Sequence, residues 1–370
     1  MSDETQRDAR PNWLLPTPAR RDEPAGQRPL NSYLRRLMRG ESLRREEAAA
    51  LLDALLDGGA TDAQIGAALV ALAVKGETVE ELAGLASAMR ARAVRLRARH
   101  ARFIDTAGTG SSAAKTFNVS TAAAFVIAGA GLPVAKHGSR AATSRSGSAD
   151  VLSALGVNVT ADPSVSEACL NEVGICFMFA PLYHGATARV AGVRRELGVH
   201  TTFNLLGPLT NPAGAPRQLI GVWHASLAAP LAETLRSLGT ERAWVVHGLD
   251  GLDEVTVSGR TLVAEATPEG VRRFEVGPED FGLRAEQLDG LRGGDAEANA
   301  RIVRDILSGA RRDAGRALVV ANAAAALFVG GRAGDLREAA RLAERSIDDG
   351  VAHAMLERLA RRTNARPPSD

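Results

Sequence analysis

Residues 104–147 constrain the fold of this chain more than any other stretch does. The stretch runs through a predicted strand end, a small-residue loop with Gly108, Thr109 and Gly110, a hydroxyl-rich turn over residues 116–121, an alanine-rich helix, a second short strand and a third loop. Glycine lets backbone N–H groups approach an oxyanion, and a helix N-terminus adds partial positive charge. This order of elements predicts an α/β fold that binds an anion at the carboxyl edge of its sheet.

Spacing and charge exclude several kinds of anion-binding protein. The loop at Gly108 matches neither G-x-G-x-x-G, which is typical of dinucleotide-binding folds, nor the G-x-x-x-x-G-K-[ST] of P-loops. The formal net charge is only +2 over 370 residues, so composition implies no general attraction to nucleic acid. Almost all basic residues are arginine. Lysine occurs only at positions 75, 115 and 136, and two of these lie in the organising stretch, which favours a role for a compact ammonium group there.

The N-terminal quarter of the chain is predicted to be helical. Residues 1–27 are rich in proline, arginine and aspartate without any hydrophobic period, and we expect a disordered extension. Residues 28–99 have the helical period and short polar breaks, which predicts a bundle of four helices. Candidate helix N-caps are Ser42, Thr61 and Thr78, and Gly76 is a candidate helix end.

The pattern changes near residue 102 to alternating strands and helices, which predicts a mostly parallel central sheet flanked by helices. Strands are predicted at 103–105, 132–135, 175–179, 219–223, 243–246 and 317–320. Residues 254–276 favour an antiparallel hairpin, residues 296–360 favour helices, and residues 364–370 form a tail. The predicted fold class is therefore α/β, with a small N-terminal helical domain and a large sheet domain.

Cysteine usage and hydropathy predict a cytoplasmic protein. Cys169 and Cys176 are too few for a disulfide framework or a zinc site, and this usage suits a reducing compartment. No apolar run reaches the roughly 18 residues of a membrane helix. The first residues carry mixed charges without an apolar segment, so we expect no secretory signal.

Two further patterns point to chemistry. Asp253 and Glu254 are adjacent and follow a predicted buried strand. Paired carboxylates of this kind can hold a hard cation, although adjacent acids more often lie on a surface turn. Arg194 and Arg195 lie on a predicted helix, where arginines more often form a solvated face than a binding site. No serine–histidine–aspartate or cysteine–histidine set is evident, so no catalytic acid, base or nucleophile is predicted.

The organising stretch resembles the signature of the anthranilate phosphoribosyltransferase family. That family reads Gly-Thr-Gly-Gly-Asp-Gly, Thr-Phe-Asn-Ile-Ser-Thr, Lys-His-Gly-Asn-Arg and Ser-Gly-Ser-Ala-Asp. This chain carries Gly-Thr-Gly at 108–110, Thr-Phe-Asn-Val-Ser-Thr at 116–121, Lys-His-Gly at 136–138 and Ser-Gly-Ser-Ala-Asp at 146–150. The segment 247–254 is similar to the family's His-Gly-x-x-Gly-Leu-Asp-Glu motif. The resemblance implies a nucleoside phosphorylase/phosphoribosyltransferase type of fold.

The resemblance implies transfer of a 5-phosphoribosyl group from phosphoribosyl pyrophosphate to the amine of anthranilate, a step of tryptophan biosynthesis that needs Mg²⁺. The phosphoribosyl pyrophosphate-binding residues would be Gly108, Thr109, Gly110, Thr116, Asn118, Ser120, Thr121, Lys136 and Ser148. The anthranilate-binding residues would be Gly108, His137, Ser139 and Arg194, and the metal-binding residues would be Ser120, Asp253 and Glu254. Catalysis would rest on positioning and on the metal, because an aryl amine is already unprotonated at neutral pH.

The resemblance also implies a domain division and an assembly. Residues of about 184–212 would complete the helical domain of residues 28–99, and residues 100–183 and 213–363 would form the donor-binding α/β domain. A homodimer through the helical domain is implied. The apolar stripe of Leu34, Leu37 and Met38 is a candidate surface for it, because a bundle this small is not expected to bury it wholly. No nucleic acid or membrane partner is expected.

Two departures from the family pattern leave alternatives open. Residues 111–113 are Ser-Ser-Ala where the family has Gly-Asp-Gly, and Ser139 stands where the family has asparagine. Ser139 keeps open a different aromatic acceptor for the same donor. The serines keep open a non-catalytic nucleic-acid-binding relative, against which stand Lys136, Arg194 and the acidic pair. A nucleoside phosphorylase shares the architecture but would need neither the paired acids nor the surroundings of Arg194.

Overall fold

The computed structural model describes residues 28–110, 116–141, 146–288 and 290–365. The predicted extension over residues 1–27 and the family departures at residues 111–113 lie outside these ranges, as does most of the predicted tail. No helix within them is both long and apolar enough to cross a membrane.

Four helices form the N-terminal bundle, in which α1 packs on α3 and α2 packs on α4. They are α1 Arg28–Met38, α2 Arg45–Leu56, α3 Asp62–Lys75 and α4 Val79–Arg92. The hydroxyls of Thr61 and Thr78 each accept a hydrogen bond from the backbone N–H three residues later, and α3 ends at Gly76 with φ of 80°. The predicted cap at Ser42 is wrong: α2 begins at Arg45, because the Arg44 N–H is satisfied by the Glu47 carboxylate at 2.8 Å.

A buried ion pair joins the bundle's loops. The Glu81 carboxylate is fully buried and accepts hydrogen bonds from Lys75 Nζ at 2.7 Å and from the backbone N–H groups of Leu43 and Thr78. Lys75 is therefore structural, because a buried carboxylate needs a charged partner and several donors to offset lost hydration.

The bundle buries more of its apolar surface than the sequence suggested. Leu34 and Leu37 are only 8% and 2% exposed, so the expectation that they form an exposed stripe with Met38 is wrong. They point into a hydrophobic cluster that continues beyond the bundle, which a four-helix unit taken alone does not reveal. Met38 is 59% exposed, and Val70 and Val74 on α3 are 40% and 83% exposed.

The sheet has seven strands in the order β3-β2-β1-β4-β5-β6-β7. They are β1 Ile104–Gly108, β2 Val134–Gly138, β3 Ile175–Phe179, β4 Arg217–Gly221, β5 Arg242–Gly248, β6 Thr261–Thr267 and β7 Gly270–Val276. The first five in chain order pair in parallel, and β6 and β7 add an antiparallel hairpin at one edge. The predicted α/β class, the mostly parallel sheet and the hairpin are confirmed.

Helices cover both faces of this sheet. The helices that follow the bundle along the chain are α5 Val119–Gly129, α6 Ser148–Ala154, α7 Pro163–Ala168, α8 Ala180–Tyr183, α9 Ala188–Leu197, α10 Thr202–Leu209, α11 Ala228–Ser237, α12 Ala296–Leu307, α13 Ala314–Val329, α14 Leu336–Asp348 and α15 Val351–Asn364. The buried helix α5 contacts α12, α13, α14 and α15.

The predicted strand at residues 317–320 is wrong, because these residues lie inside α13. Asp313 caps this helix by accepting hydrogen bonds from the N–H groups of Gly315 and Arg316. The alanine-rich sequence that follows favours a helix. A four-residue apolar run does not distinguish a buried strand from a buried helix, and the surrounding sequence decides.

Helices α9 and α10 pack on the bundle rather than lying over the sheet. Helix α9 contacts α2 and α3, and α10 contacts α3 and α4. Arg189 on α9 pairs with Asp62 at 2.7 Å. We propose on this basis that residues 184–212 complete the helical domain. Helix α11 lies between α4 and strands β5 and β6, so one hydrophobic cluster runs from the bundle to that face of the sheet.

Candidate functional site

The parallel strands place all of the predicted site residues around one cavity of about 410 Å³. It lies at the carboxyl ends of β1 and β2, between the sheet and helices α9 and α10. The cavity-lining set includes Gly108, Thr109, Gly110, Thr116, Asn118, Ser120, Thr121, Lys136, His137, Ser139, Ser148, Arg194, Asp253 and Glu254. Residues 104–147 and residues far apart in the chain thus meet in one place.

The first loop is held by the end of β4. The Thr109 N–H and hydroxyl both donate to the carbonyl of Gly221, at 2.9 and 3.2 Å, and the hydroxyl accepts from the Trp223 N–H. Gly110 has φ of +67°, a conformation that favours glycine. The predicted glycine loop therefore has a fixed path at its start.

Lys136 is the buried cation of the cavity. Its ammonium group donates to the carbonyl of Thr106 and lies 3.3 Å from the Ser120 hydroxyl. Burial lowers its pKa, while the carboxylates of Asp105 and Glu254 act in the opposite direction. The charge is thus poised at the N-terminus of α5, where an anionic ligand would gain from both the ammonium and the helix dipole.

The acidic pair lies on a loop that several elements hold in place. The carbonyl of Asp253 lies against Gly221, where a Cβ atom would come within 1.7 Å of it, so only glycine fits in β4 at this position. On the other side, the side-chain amide of Asn322 on α13 bonds both the N–H and the carbonyl of Val255, at 2.9 and 2.8 Å. The two carboxylates therefore have a defined position at the cavity.

The chemistry of this donor set fits Mg²⁺. Glu254 accepts a hydrogen bond from the Ser120 N–H at 3.2 Å, which brings the two predicted metal-binding segments together. Desolvation raises the pKa of Glu254 to about 8, and the charge of Asp253 acts in the same direction, so a nearby cation would favour its ionised form. No group of three or more carboxylate, histidine or cysteine ligands occurs among the described residues. Mg²⁺ commonly takes only one or two carboxylates and completes its shell with water and phosphate oxygens.

The opposite end of the cavity contains two neighbouring histidines, whose rings are tilted by 59° to each other. The rings of His137 and His184 have centroids 5.1 Å apart, and each ring has one nitrogen bonded to a backbone carbonyl, of Gly207 and Thr210 respectively. A carbonyl only accepts, so that nitrogen carries the proton and the other nitrogen keeps its lone pair. Burial lowers the pKa of His137 to about 3 and that of His184 to about 4, so both rings are neutral at pH 7.

Arg194 projects from α9 into the same end. Its guanidinium lies 5.1 Å from the ring centroid of Phe203, and burial lowers its pKa. None of the carboxylates in the described ranges forms an ion pair with it. Its neighbour Arg195 is exposed, so the helix presents one arginine to the cavity and the other to solvent. A partly buried guanidinium beside an aromatic ring is suited to an aromatic carboxylate.

Ser139 lies at the cavity mouth, and its hydroxyl donates to the carbonyl of Arg140 at 2.8 Å. Sequence reasoning missed several residues that support or line the cavity, namely Ser146, His184, Phe203, Gly293, Gly294, Asn299 and Asn322. A Gly-Gly pair just before a helix was the only local signal for the segment at 293–299. The buried asparagines gave none, because helical periodicity does not show which polar residue faces inward.

Comparison with known proteins agrees with this geometry. Residues 100–353 match the model of the glycosyl transferase family, a/b domain, and residues 31–93 match its helical bundle domain. The chain is 54% identical over 332 residues to the anthranilate phosphoribosyltransferase of Rubrobacter xylanophilus, covering 90% of this chain and 97% of the relative.

Solved structures show the same likeness. The anthranilate phosphoribosyltransferase of Thermus thermophilus superposes with a TM-score of 0.84 at 40% identity, covering 90% of this chain and 99% of that one. The enzyme of Saccharomyces cerevisiae in complex with PRPP (phosphoribosyl pyrophosphate) and Mg gives 0.82 at 28% identity, covering 90% and 97%.

The neutral histidines predict a pH-dependent stability. The folded-state pKa values lie below the usual value of about 6.5, so the unfolded chain binds more protons at acid pH. Stability should be fully present above pH ~6.5 and fall by about 2 kcal/mol per histidine by pH ~5. Urea unfolding of wild type and of His137→Gln/His184→Gln, at pH ~6.5 and at pH ~5, measures this loss in the free energy of unfolding. The double variant should lose less between the two pH values, whereas His224→Gln, an exposed position, should behave as wild type. Equal losses in all three proteins would contradict the assignment.

Proposed function

The chain belongs to the anthranilate phosphoribosyltransferase family, and we propose that it transfers the 5-phosphoribosyl group of phosphoribosyl pyrophosphate to the amine of anthranilate. The products are N-(5-phosphoribosyl)anthranilate and pyrophosphate. The observation that carries this proposal is the division of one cavity into two chemically different ends. One end has a buried ammonium, helix N-termini and two carboxylates, and the other has a partly buried arginine beside aromatic rings.

The first end suits the phosphorylated donor. Lys136 supplies positive charge, and the N-termini of α5 and α6 supply oriented backbone N–H groups. The residues proposed to bind the donor are Gly108, Thr109, Gly110, Thr116, Asn118, Ser120, Thr121, Lys136 and Ser148. Held in this way, the pyrophosphate would leave in a fixed direction relative to the ribose.

Asp253, Glu254 and Ser120 would hold Mg²⁺ at this end. The bound ion would offset negative charge on the departing pyrophosphate. The loop packing against Gly221 and Asn322 fixes where the two carboxylates present their oxygens.

The second end suits the acceptor. Arg194 would bind the carboxylate of anthranilate through a two-pronged contact, while His137, Ser139 and Gly108 would surround its ring and amine. The neutral Nε2 atom of His137 has no hydrogen-bond partner among the described groups and offers a lone pair. We assign no general base, because the aryl amine attacks in its neutral form and what it needs is alignment with the ribose carbon.

We further propose a homodimer through the helical domain. The outer face of α3 carries Ala67, Val70 and Val74 at helical spacing, all exposed, and Met38 of the neighbouring α1 is also exposed. Helix α3 is thus apolar on its inner and its outer side, which is typical of a helix covered on both. A second copy related by a two-fold axis would cover this face.

When purified protein is mixed with phosphoribosyl pyrophosphate, Mg²⁺ and anthranilate, the fluorescence of anthranilate should decrease as anthranilate is consumed. In Arg194→Ala, kcat/KM for anthranilate should fall roughly 10- to 100-fold, because a charged contact to the acceptor is lost. Arg195→Ala, one residue away and exposed, is the matched control and should leave it unchanged. If wild-type protein turns over another aromatic amine but not anthranilate, the acceptor assignment is wrong. Unchanged kinetics for anthranilate in Arg194→Ala would also contradict it.

Asp253→Asn/Glu254→Gln should lower Mg²⁺-dependent turnover roughly 100-fold or more and leave the circular dichroism spectrum unchanged, since both residues lie on a loop. The adjacent acids Glu279 and Asp280, in a short 3₁₀ helix away from the cavity, provide the control pair Glu279→Gln/Asp280→Asn. A rate near that of wild type at limiting Mg²⁺ would show that the metal lies elsewhere.

Wild-type protein should sediment as a dimer at micromolar concentration, and Val70→Lys/Val74→Lys should sediment as a monomer, because two buried charges oppose association. Leu249→Lys replaces another exposed apolar residue outside the bundle and should leave the dimer intact. A wild-type monomer would contradict the proposed assembly.

A further inference from the structure

Asn299 on α12 joins three segments of the cavity wall. Its Nδ2 group donates to Asn118 Oδ1 at 3.0 Å and to the Ser146 hydroxyl at 2.9 Å, and its Oδ1 accepts from the Gly294 N–H at 2.8 Å. Asn299 is 3% exposed. Helix α12 packs on both α5 and α6, so Asn299 lies where the N-termini of those two helices meet.

The backbone sets the orientation of this amide. An N–H can only donate, so the Gly294 N–H requires the oxygen of Asn299 on its side. The NH₂ group of Asn299 must then face Asn118 and Ser146. Since an NH₂ group only donates, Asn118 must present its own oxygen in return. The Ser146 hydroxyl donates to that same oxygen at 3.3 Å and reinforces the orientation.

The consequence lies at the donor end of the cavity. Asn118 occupies the N-cap position of α5, where an asparagine side chain ordinarily accepts a hydrogen bond from its own helix, but here it makes no such bond. Its oxygen is committed to Asn299 and Ser146, which leaves its NH₂ group on the opposite side of the amide. No acceptor for that group is present in the parts of the chain that the structure describes, and Asn118 lines the cavity.

The close approach of the segment before α12 supports the same arrangement. Arg292 forms an isolated antiparallel bridge with Thr116, and a Cβ atom at Gly293 would lie 2.4 Å from the Thr116 carbonyl. Only glycine lets the chain pass this close. The segment that supplies the Gly294 N–H is therefore fixed against the turn that leads to Asn118.

We propose that Asn299 is a positioning residue for phosphoribosyl pyrophosphate. It orients the Asn118 amide so that the NH₂ group, and not the carbonyl oxygen, faces the anionic groups of this substrate. This inference rests on the proposed function, because phosphoribosyl pyrophosphate is the ligand that the cavity would hold.

The test reverses the orientation with an almost isosteric change. In Asn299→Asp the carboxylate still accepts a hydrogen bond from the Gly294 N–H, but it has no N–H group to donate to Asn118. The Asn118 amide should then turn its NH₂ group toward the new carboxylate and its oxygen toward the cavity. KM and Kd for phosphoribosyl pyrophosphate should rise roughly 10- to 100-fold, with kcat and KM for anthranilate changed much less. Asn299→Ala, which removes the constraint without adding charge, should give a smaller rise in the same direction.

Two controls separate orientation from charge and from folding. Ala298→Asp adds the same charge one residue earlier on α12 and should change Kd for the donor less than about twofold. In an Asn118→Ala background there is no amide left to orient, so Asn299→Asp should lose most of its effect on Kd. Titration calorimetry with phosphoribosyl pyrophosphate and Mg²⁺ measures Kd in the absence of any acceptor.

The outcomes distinguish this inference from the proposed function. An unchanged Kd in both Asn299 variants, or the same rise in the Asn118→Ala background, would overturn the role of Asn299 while leaving the transferase intact. A wild-type protein that binds phosphoribosyl pyrophosphate but does not turn over anthranilate would overturn the acceptor assignment alone. The role of Asn299 would still be tested by comparing Kd for phosphoribosyl pyrophosphate between wild type and the Asn299 variants. A wild-type protein that binds no phosphoribosyl pyrophosphate would overturn both.

Discussion

The parallel pairing of β1 with β2 on one side and with β4 on the other is the constraint on which the rest of the structure depends. Ile104 in β1 is in register with Val134 in β2 and with Arg217 in β4, so these strands end at the same edge of the sheet. The glycine loop follows β1, and the Lys136-His137 pair ends β2. Gly221 at the end of β4 admits the acidic loop, so that the residues proposed to contact both substrates share this edge.

Charge is concentrated at that edge at a cost to stability. Burial raises the pKa of Asp105 to about 6 and that of Glu254 to about 8, and lowers the pKa of Lys136. Partial pairing among such groups repays only part of the desolvation energy. Bound ions of opposite sign would complete the balance, because they interact with these groups where little water remains. Among the described residues no carboxylate forms an ion pair with Arg194, and a substrate carboxylate would serve as its counter-ion.

The two ends of the cavity, which we propose for the phosphorylated donor and for the acceptor, depend on different supports. Buried polar contacts fix the donor end, through Asn299, Asn322 and the close glycine contacts of Gly221 and Gly293. Hydrophobic packing fixes the acceptor end, because α9 and α10 bury Val190, Val193 and Leu206 in the cluster shared with the bundle. Movement of the helical segment against the sheet would therefore change the acceptor end first.

The sequence by itself determined the α/β class, the mostly parallel sheet and the caps at Thr61 and Thr78, because these follow from periodicity and from local patterns. Through its resemblance to a family it also indicated part of the set of residues that line the cavity. It did not determine that residues 317–320 are helical, that Arg44 precedes α2, or that Leu34 and Leu37 are buried. Nor did it reveal Asn299 and Asn322, which lie far along the chain from the groups that they hold. Only the tertiary structure decided these points, since the burial and the hydrogen-bond partner of a side chain depend on which distant segments pack beside it, and local periodicity does not contain that information.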